Sequence, residues 1–114
     1  MKTICFDLDG VICTNTWGKY EDAKPIISSI NKINELYNLG YRIIIFTARY
    51  MGRNNEDINK AKKMGYNFTQ NQLKNWNVNY HKLIFGKPSY DFVIDDKSIF
   101  FKEDWVKNFF IKNQ

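Results

Sequence analysis

Two short apolar runs with one amphipathic stretch between them dominate the first half of the chain. Residues 3–8 form the first run, and residues 41–47 form a second, β-branched one. Runs of this length predict strands that are covered on both faces, as in a parallel sheet. From Pro25 to Gly40 the apolar residues recur at helical spacing, with proline suited to a first helical position and glycine to a helix end. A βαβ unit over residues 3–47 is therefore predicted.

The second half of the chain continues the alternation of helical and extended patterns. The predicted elements are helices over 55–65 and 69–76 with a break near Gly65, strands over 82–85 and 91–95, and an amphipathic helix over 103–111. A chain of 114 residues fits one domain. The order of elements indicates a three-layer α/β/α domain with a mainly parallel sheet and a Rossmann-like arrangement.

Composition places the chain among folded proteins and narrows its partners. Hydrophobic residues make up 44% and charged residues 25%, which excludes a disordered chain. The net charge of +5 suits anionic partners. The lysines are scattered through asparagine-rich helical stretches without a nucleic-acid-binding motif, so we expect a solvated basic surface and no nucleic-acid partner.

The sequence carries no signal for a membrane or an oxidising compartment. No run approaches the roughly 20 apolar residues of a membrane span, and none resembles a signal peptide. Two cysteines cannot form a disulfide framework, and we expect Cys5 to be a buried thiol within its strand. Cys13 has no obvious activating partner, so no chemistry is assigned to it. We expect a cytoplasmic protein with no membrane partner.

Polar side chains follow three of the predicted strands. They belong to Asp7-Leu8-Asp9-Gly10 after the first strand, Thr47-Ala48-Arg49 after the second, and Asp95-Asp96 after the strand over 91–95. Ligands of open parallel sheets bind outside the carboxyl ends of the strands. We therefore expect these side chains to converge on one crevice.

Carboxylates brought together in such a crevice repel one another unless a cation relieves the repulsion. Magnesium takes one or two carboxylates together with waters and substrate phosphate, and Asp7 and Asp95 are the natural direct ligands, with Asp9 adding its backbone carbonyl. A carboxylate such as Asp7 can attack phosphorus and form an aspartyl-phosphate, while Asp9 protonates the leaving oxygen and then activates water. The Thr47 hydroxyl and nearby amides suit phosphoryl oxygens, and a lysine would neutralise charge in the transition state.

Taken in order, these residues resemble the four motifs of the haloacid dehalogenase superfamily. The matching residues are Asp7-Leu8-Asp9-Gly10-Val11, Thr47, Lys87 and Asp95-Asp96. The resemblance implies a magnesium-dependent phosphatase with Asp7 as nucleophile, Asp9 as acid and base, and Thr47 and Lys87 on the phosphate. The implied metal ligands are Asp7, Asp9, Asp95 and Asp96. Substrate contacts are expected from Gly10, Ala48 and Arg49.

The chain is similar to the capless branch of that superfamily, because the loop over 11–24 is too short for a cap domain and helices fill the stretch between Thr47 and Lys87. The stretches 46–49, 73–76, 80–81, 85–88 and 94–97 resemble small bacterial capsule-biosynthesis phosphatases. This resemblance implies a phosphorylated sugar or a sugar-linked intermediate as substrate. A capless site is open, so a neighbouring subunit of a homo-oligomer is one expected cover.

Several alternatives stay open at this point. Lys87 lies eight residues before Asp95. A straight strand between them would place it about 26 Å from the site. Either residues 88–90 turn the chain back, or Lys97 is the active-site lysine. Either Asp95 or Asp96 could be the direct metal ligand. Arg49 could bind substrate or form a surface ion pair.

The function has alternatives as well. His81 could orient substrate or satisfy a polar position beside the core. The rival functions are a nucleotidase or another small-metabolite phosphatase, and a non-catalytic domain that binds a phosphorylated ligand. A nucleic-acid-binding module rests on net charge alone.

Overall fold

Three parallel strands form the sheet of the computed structural model, which describes residues 2–99 and 105–108. The strands are β1 (Thr3–Asp7), β2 (Arg42–Thr47) and β3 (Lys82–Phe85), adjacent in that order. In the register, Asp7 lies beside Phe46, and Thr47 lies beside Phe85. The carboxyl ends of the strands are therefore level, and the residues that follow them emerge at one edge of the sheet. The predicted α/β class and parallel sheet are confirmed.

The first helix, α1 (Ile27–Asn38), connects β1 to β2 and starts two residues after the predicted position. Pro25 pairs with Cys13 in an isolated bridge, and the Ile26 N–H donates to the Ile12 carbonyl at 2.8 Å, so these two residues stay extended. The helix ends before Gly40, whose φ of 96° is the left-handed conformation that terminates helices. A short 3-10 turn, Tyr20–Asp22, lies in the preceding loop.

The second long helix, α2 (Ile58–Asn75), is continuous, so the predicted break near Gly65 is wrong. It follows a short 3-10 turn, Gly52–Asn54, and its N-cap is Asp57, whose side chain accepts a hydrogen bond from the Lys60 N–H at 3.1 Å. A Cβ atom at Gly65 would overlap the Tyr50 ring. The glycine therefore marks a close approach of an aromatic ring to the helix backbone, not a helix end.

The predicted strand over 91–95 is also wrong, because these residues adopt no regular structure and lie outside the sheet. Phe92 is 91% exposed and Ile94 fully exposed. Two bonds direct the chain away from β1: the Lys87 N–H donates to the Thr47 carbonyl at 3.2 Å, and the Ser89 N–H donates to Glu56 Oε1 at 2.9 Å. Among the described residues, β1 is consequently an edge strand.

The last described element, α3 (Trp105–Asn108), packs against α1 and β1. Trp105 is 8% exposed, its Nε1–H donates to Ser29 Oγ at 3.0 Å, and its ring lies 5.8 Å from that of Phe6. This part of the predicted helix over 103–111 is confirmed as core, and the remainder of that range lies outside the described residues. None of the helices in the described ranges has both the length and the apolar character needed to cross a bilayer.

Candidate active site

A pocket of about 540 Å³ opens where the three strands end. Its lining comes from the end of β1, the following loop, the end of β2 and the segment after β3. The lining residues are Asp7, Asp9, Asn15, Thr16, Trp17, Gly18, Tyr20, Ala48, Arg49, Lys87, Pro88, Ser89 and Tyr90. The structure therefore brings together Asp7, Asp9, Ala48, Arg49 and Lys87 of the predicted set.

Asp7 ends β1, and its side chain is 39% exposed. Its Oδ1 accepts a hydrogen bond from the Leu8 N–H at 2.8 Å and lies 3.4 Å from Lys87 Nζ. Burial raises the pKa of Asp7 above its ordinary value, and the opposing influence of Lys87 does not cancel this rise. The hydrogen bonds that described residues make to this carboxylate all go to Oδ1. Oδ2 is thus the oxygen left to meet a bound substrate.

Lys87 reaches Asp7 because it follows β3 after a single residue, Gly86, whose φ is 108°. Its ammonium lies 5.3 Å from the centroid of the Tyr90 ring. Burial alone would lower the pKa of Lys87, but the contacts with Tyr90 and Asp7 outweigh burial and raise it. Lys97 is exposed and donates its backbone N–H to Asp95 Oδ1 at 2.9 Å. Lys87, not Lys97, is therefore the lysine beside Asp7.

Asp9 is held by Arg49 in a forked ion pair. Arg49 Nε lies 2.9 Å from Oδ2, and Nη2 lies 2.9 Å from Oδ1. Oδ1 also accepts from the Cys13 thiol at 3.4 Å. Among the described residues, Oδ2 accepts from Arg49 alone, so a lone pair of Oδ2 remains for substrate or water. This pairing fixes the orientation of the carboxylate that sequence reasoning assigned to acid and base catalysis.

Arg49 is 1% exposed, and each of its nitrogens has a partner inside the protein. Nη1 donates to Gln72 Oε1 at 2.7 Å and to Thr69 Oγ1 at 3.3 Å, and the guanidinium lies 4.7 Å from the Tyr20 ring centroid. Burial acts to lower the pKa of Arg49, but the bonds and charge of Asp9 outweigh it and raise that pKa. These contacts favour a role in positioning Asp9 over the expected contact with substrate, and they exclude a surface ion pair.

The other predicted phosphate contacts are placed less directly. Thr47 is 1% exposed, and its hydroxyl accepts a hydrogen bond from the Arg49 N–H at 3.1 Å, which leaves its own proton to donate. Gly10 has a φ of 93°, and its N–H donates a hydrogen bond to the Cys13 carbonyl at 2.7 Å. Neither residue lines the pocket, whereas Ala48 does.

Asp95 and Asp96 do not join the pocket. Both are exposed and follow the segment that left the sheet. A hydrogen bond from the Lys97 N–H lowers the pKa of Asp95, with Asp96 as a further cause. Within residues 2–99 and 105–108, no group of three or more His, Cys, Asp or Glu side chains is arranged to hold a metal ion. The expected convergence of all four acids is therefore wrong for this arrangement, because the segment that carries Asp95 and Asp96 does not pair with β1.

The donor set can be compared with what magnesium requires, namely one or two carboxylates together with waters and phosphate oxygens. Asp7 offers one carboxylate oxygen that no described residue bonds. The Asp9 side chain is engaged by Arg49, so only its backbone carbonyl is a candidate. The pocket thus meets the lower limit of the requirement, and the second carboxylate would have to come from Asp95 or Asp96.

The remaining polar candidates have structural roles. His81 Nδ1 accepts a hydrogen bond from the Ile43 N–H at 3.0 Å, and its ring stacks on Tyr37 at 4.6 Å, near the amino ends of β2 and β3. Cys13 is fully buried, and burial followed by the charge of Asp9 raises its pKa to about 12, so it remains a thiol. Cys5 was expected to be buried but is exposed, because it lies on the face of β1 opposite to the buried Phe6.

Sequence reasoning missed several contributors to the site. Gln72 and Thr69 lie three residues apart on one face of α2 and both bond Arg49. That helical spacing was visible in the sequence, but the sequence did not show that both residues bond Arg49. Thr16 was also missed, and its pocket-lining position depends on a loop conformation that has no apolar pattern.

Comparison with known proteins gives a structure with a similar fold but no information on the chemistry of the site. The chain matches no protein-family model and no curated protein. Its structure is similar to the crystal structure of an MCSG target from Vibrio cholerae, with a TM-score of 0.81 and 25% sequence identity over 95% of each chain. The chain thus spans nearly the full length of a solved α/β structure.

Proposed function

We propose that this chain is a capless phosphomonoester hydrolase of the haloacid dehalogenase type, with a three-layer core and Asp7 as its nucleophile. The observation that carries the proposal is the pairing of Asp7 with Lys87 at 3.4 Å in a pocket that also holds Asp9. A carboxylate with one unbonded oxygen, an adjacent cation and a second, fixed carboxylate are the groups that phosphoryl transfer to an aspartate requires.

The chemistry proceeds in two steps. Asp7 Oδ2 attacks phosphorus, the ester P–O bond breaks, and the leaving alkoxide takes a proton from the carboxylic acid form of Asp9, which becomes the carboxylate. Water then attacks the phosphorus of the aspartyl-phosphate and gives its proton to the Asp9 carboxylate, which releases inorganic phosphate and restores Asp7. Lys87 neutralises charge on the phosphoryl oxygens and on Asp7 throughout, because its ammonium lies beside the reacting carboxylate.

Magnesium belongs to the proposal as the implied cofactor. Asp7 and the Asp9 carbonyl would hold it, and when bound it supplies positive charge that screens the carboxylates and polarises the phosphoryl group. Asp95 or Asp96 would join them only if residues 91–96 packed along the edge of β1 that no described strand covers. Exposed apolar residues in that segment, including Phe92 and Ile94, support such packing.

The proposed substrate is a small phosphorylated sugar or a sugar-linked intermediate in the synthesis of a surface polysaccharide. It rests on the similarity of several stretches to capsule-biosynthesis phosphatases, and an open pocket suits a bulky leaving group. Nucleotides and other small phosphate esters are the alternatives, and a homo-oligomer in which a neighbour covers the pocket stays a prediction.

A phosphate-release screen with magnesium tests the proposal, using sugar phosphates, nucleotides and phospho-alcohols. We expect release from at least one ester, loss of that activity in Asp7→Asn, and loss on chelation with recovery on adding magnesium. Asp22→Asn, an exposed acid outside the pocket, is the matched control and should retain full activity. Equal turnover in Asp7→Asn and Asp22→Asn would contradict the assignment of the nucleophile.

A second candidate function is a non-catalytic domain that binds a phosphorylated ligand. The forked Arg49–Asp9 pair favours it, because Arg49 engages both oxygens of the acid that hydrolysis needs and leaves only one lone pair of Oδ2 for a proton. The same esters decide between the two when their binding is measured beside the release of phosphate. Binding of an ester without release of phosphate would support the non-catalytic domain.

A further inference from the structure

The loop between β1 and α1 carries a tight turn over residues 16–19 with an unusual backbone. The Lys19 N–H donates to the Thr16 carbonyl at 3.2 Å, and Trp17 and Gly18 have φ angles of 53° and 98°. Two successive left-handed residues are typical of a type I′ turn, in which glycine, asparagine and aspartate dominate. A tryptophan there is an outlier, and such conformations persist only where the surroundings hold them.

Arg53, which lies in the segment after β2, holds this turn. Its Nη2–H donates to the Gly18 carbonyl at 2.6 Å, and its guanidinium lies 5.3 Å from the Tyr20 ring centroid and 4.8 Å from that of Tyr50. The turn is therefore tied to residues that follow β2 and has a fixed position at the pocket mouth.

Trp17 gains little burial in return for this conformation. Its side chain is 85% exposed, yet it lines the same pocket as Asp7. Beside it, the Thr16 hydroxyl is buried and, among the described residues, has no hydrogen-bond partner. A largely exposed aromatic ring and an unpaired hydroxyl thus belong to adjacent residues that line the same pocket as Asp7.

The chemistry of these two groups indicates what they bind. The pocket-lining residues 15–18 carry no charge, and the neighbouring Lys19 and Arg53 do not line the pocket, so a second phosphate is not favoured there. A sugar ring presents a C–H face that packs on an indole and hydroxyls at its edge that pair with a threonine hydroxyl. A nucleobase also stacks, but it carries no hydroxyl on the stacked ring.

We propose that the 16–19 turn is the leaving-group subsite, in which Trp17 stacks on the sugar ring of a phosphate ester and Thr16 Oγ1 bonds one of its hydroxyls. This inference rests on the proposed phosphatase function, because the subsite is defined by its position next to Asp7. It assigns selectivity to residues outside the catalytic set.

The test compares the selectivity ratio, kcat/KM for glucose 6-phosphate over that for glycerol phosphate, among matched variants. Trp17→Asn removes the ring but keeps a residue that tolerates a positive φ, and Trp17→Phe keeps a ring. We expect the ratio to fall about tenfold in Trp17→Asn and by much less in Trp17→Phe. Thr16→Val should also lower it while leaving stability unchanged, because no hydrogen bond within the described protein is lost.

Other outcomes overturn the inference. An unchanged ratio in Trp17→Asn, or a larger dependence on Trp17 for a nucleoside monophosphate than for glucose 6-phosphate, contradicts a sugar subsite. If no ester is hydrolysed, the phosphatase function fails, and tryptophan fluorescence then decides the subsite alone. Quenching by glucose 6-phosphate that is lost in Trp17→Phe, which keeps Trp76 and Trp105 as emitters, would still support it, and no quenching would refute it.

Discussion

Replacing Arg49 with methionine should destabilise the fold by about 3 kcal/mol, because it leaves the Asp9 carboxylate without its cation. The side chain of Arg49 is 0% exposed and that of Asp9 19% exposed. Removing one member of a buried pair typically costs about 3–5 kcal/mol, and partial hydration of Asp9 places this case at the lower end. Thr69 and Gln72 would lose a hydrogen-bond partner in the same substitution.

Urea unfolding followed by circular dichroism measures the effect. A loss of this size should lower the urea midpoint by roughly 1–2 M for a domain of this length. Lys32→Met is the matched control, since the Lys32–Glu35 pair at 3.3 Å joins side chains that are 18% and 57% exposed. Breaking it should change stability by about 0–1 kcal/mol.

A double-mutant cycle with Asp9→Asn then isolates the pair. We expect a coupling free energy of about 2–3 kcal/mol between Arg49 and Asp9, since residues in one buried network are far from additive. Arg49→Lys should recover only part of the loss, because lysine cannot form the forked contact. A coupling near zero, or equal losses in Arg49→Met and Lys32→Met, would refute the reasoning.

Three further predictions concern packing, charge and thiol chemistry. Gly65→Ala should destabilise the fold by roughly 1–3 kcal/mol in urea unfolding despite the better helix propensity of alanine, because the new methyl group overlaps the Tyr50 ring. Asp7→Asn should raise the melting temperature at pH 7. Because the pKa of Asp7 is raised in the folded state, its ionisation opposes folding, and the stability of the native protein falls as pH rises through that pKa. Below about pH 4 the aspartate is protonated in both the folded and the unfolded state, so the advantage of the variant should disappear. In thiol titration, native protein should label at Cys5 only, because Cys13 is buried and its pKa is raised to about 12, and unfolded protein should label at both.

Each of these has a control or a contrary outcome. Asn67→Ala introduces the same residue, alanine, at an exposed position of α2 and should be neutral or slightly stabilising. Stabilisation by Gly65→Ala would show that the ring approach is not tight. An Asp7→Asn variant less stable than the native protein at pH 7 would mean that the ion pair with Lys87 outweighs burial, and rapid labelling of Cys13 in native protein would contradict its burial.

The elements that local pattern specifies were predictable. The strand over 82–85 has the predicted bounds, and β1, β2 and α1 begin or end within two residues of the prediction. Apolar periodicity reports which faces of an element need cover, and that is a property of neighbouring residues in the sequence. Motif order made Lys87 one of two candidates for the active-site lysine, and its place beside Asp7 comes from its position just after the end of β3.

Features that depend on distant residues were not predictable. The continuity of α2 at Gly65 depends on Tyr50, which packs on the helix from a preceding loop. The burial of Arg49 depends on Asp9, which is 40 residues earlier in the sequence. A single sequence shows that a glycine or an arginine is present but not which partner it faces.

The segment over 91–96 shows a different limit. Its apolar pattern indicates that it prefers burial, but the pattern does not name the strand that would cover it. The bond between Ser89 and Glu56 directs the chain elsewhere, and such a side-chain bond leaves no trace in hydrophobic periodicity.

The most direct measurement is an acid quench during turnover, followed by peptide mapping for a phosphoryl group. The Asp9→Asn variant should serve as a trap, because it lacks the base that activates water for the second step. We expect a hydroxylamine-sensitive phosphoryl group on Asp7 and none in Asp7→Asn. A phosphoryl group on another residue during turnover would contradict nucleophilic catalysis by Asp7. So would turnover of the native protein with no phosphoryl group on Asp7 in either the native protein or Asp9→Asn.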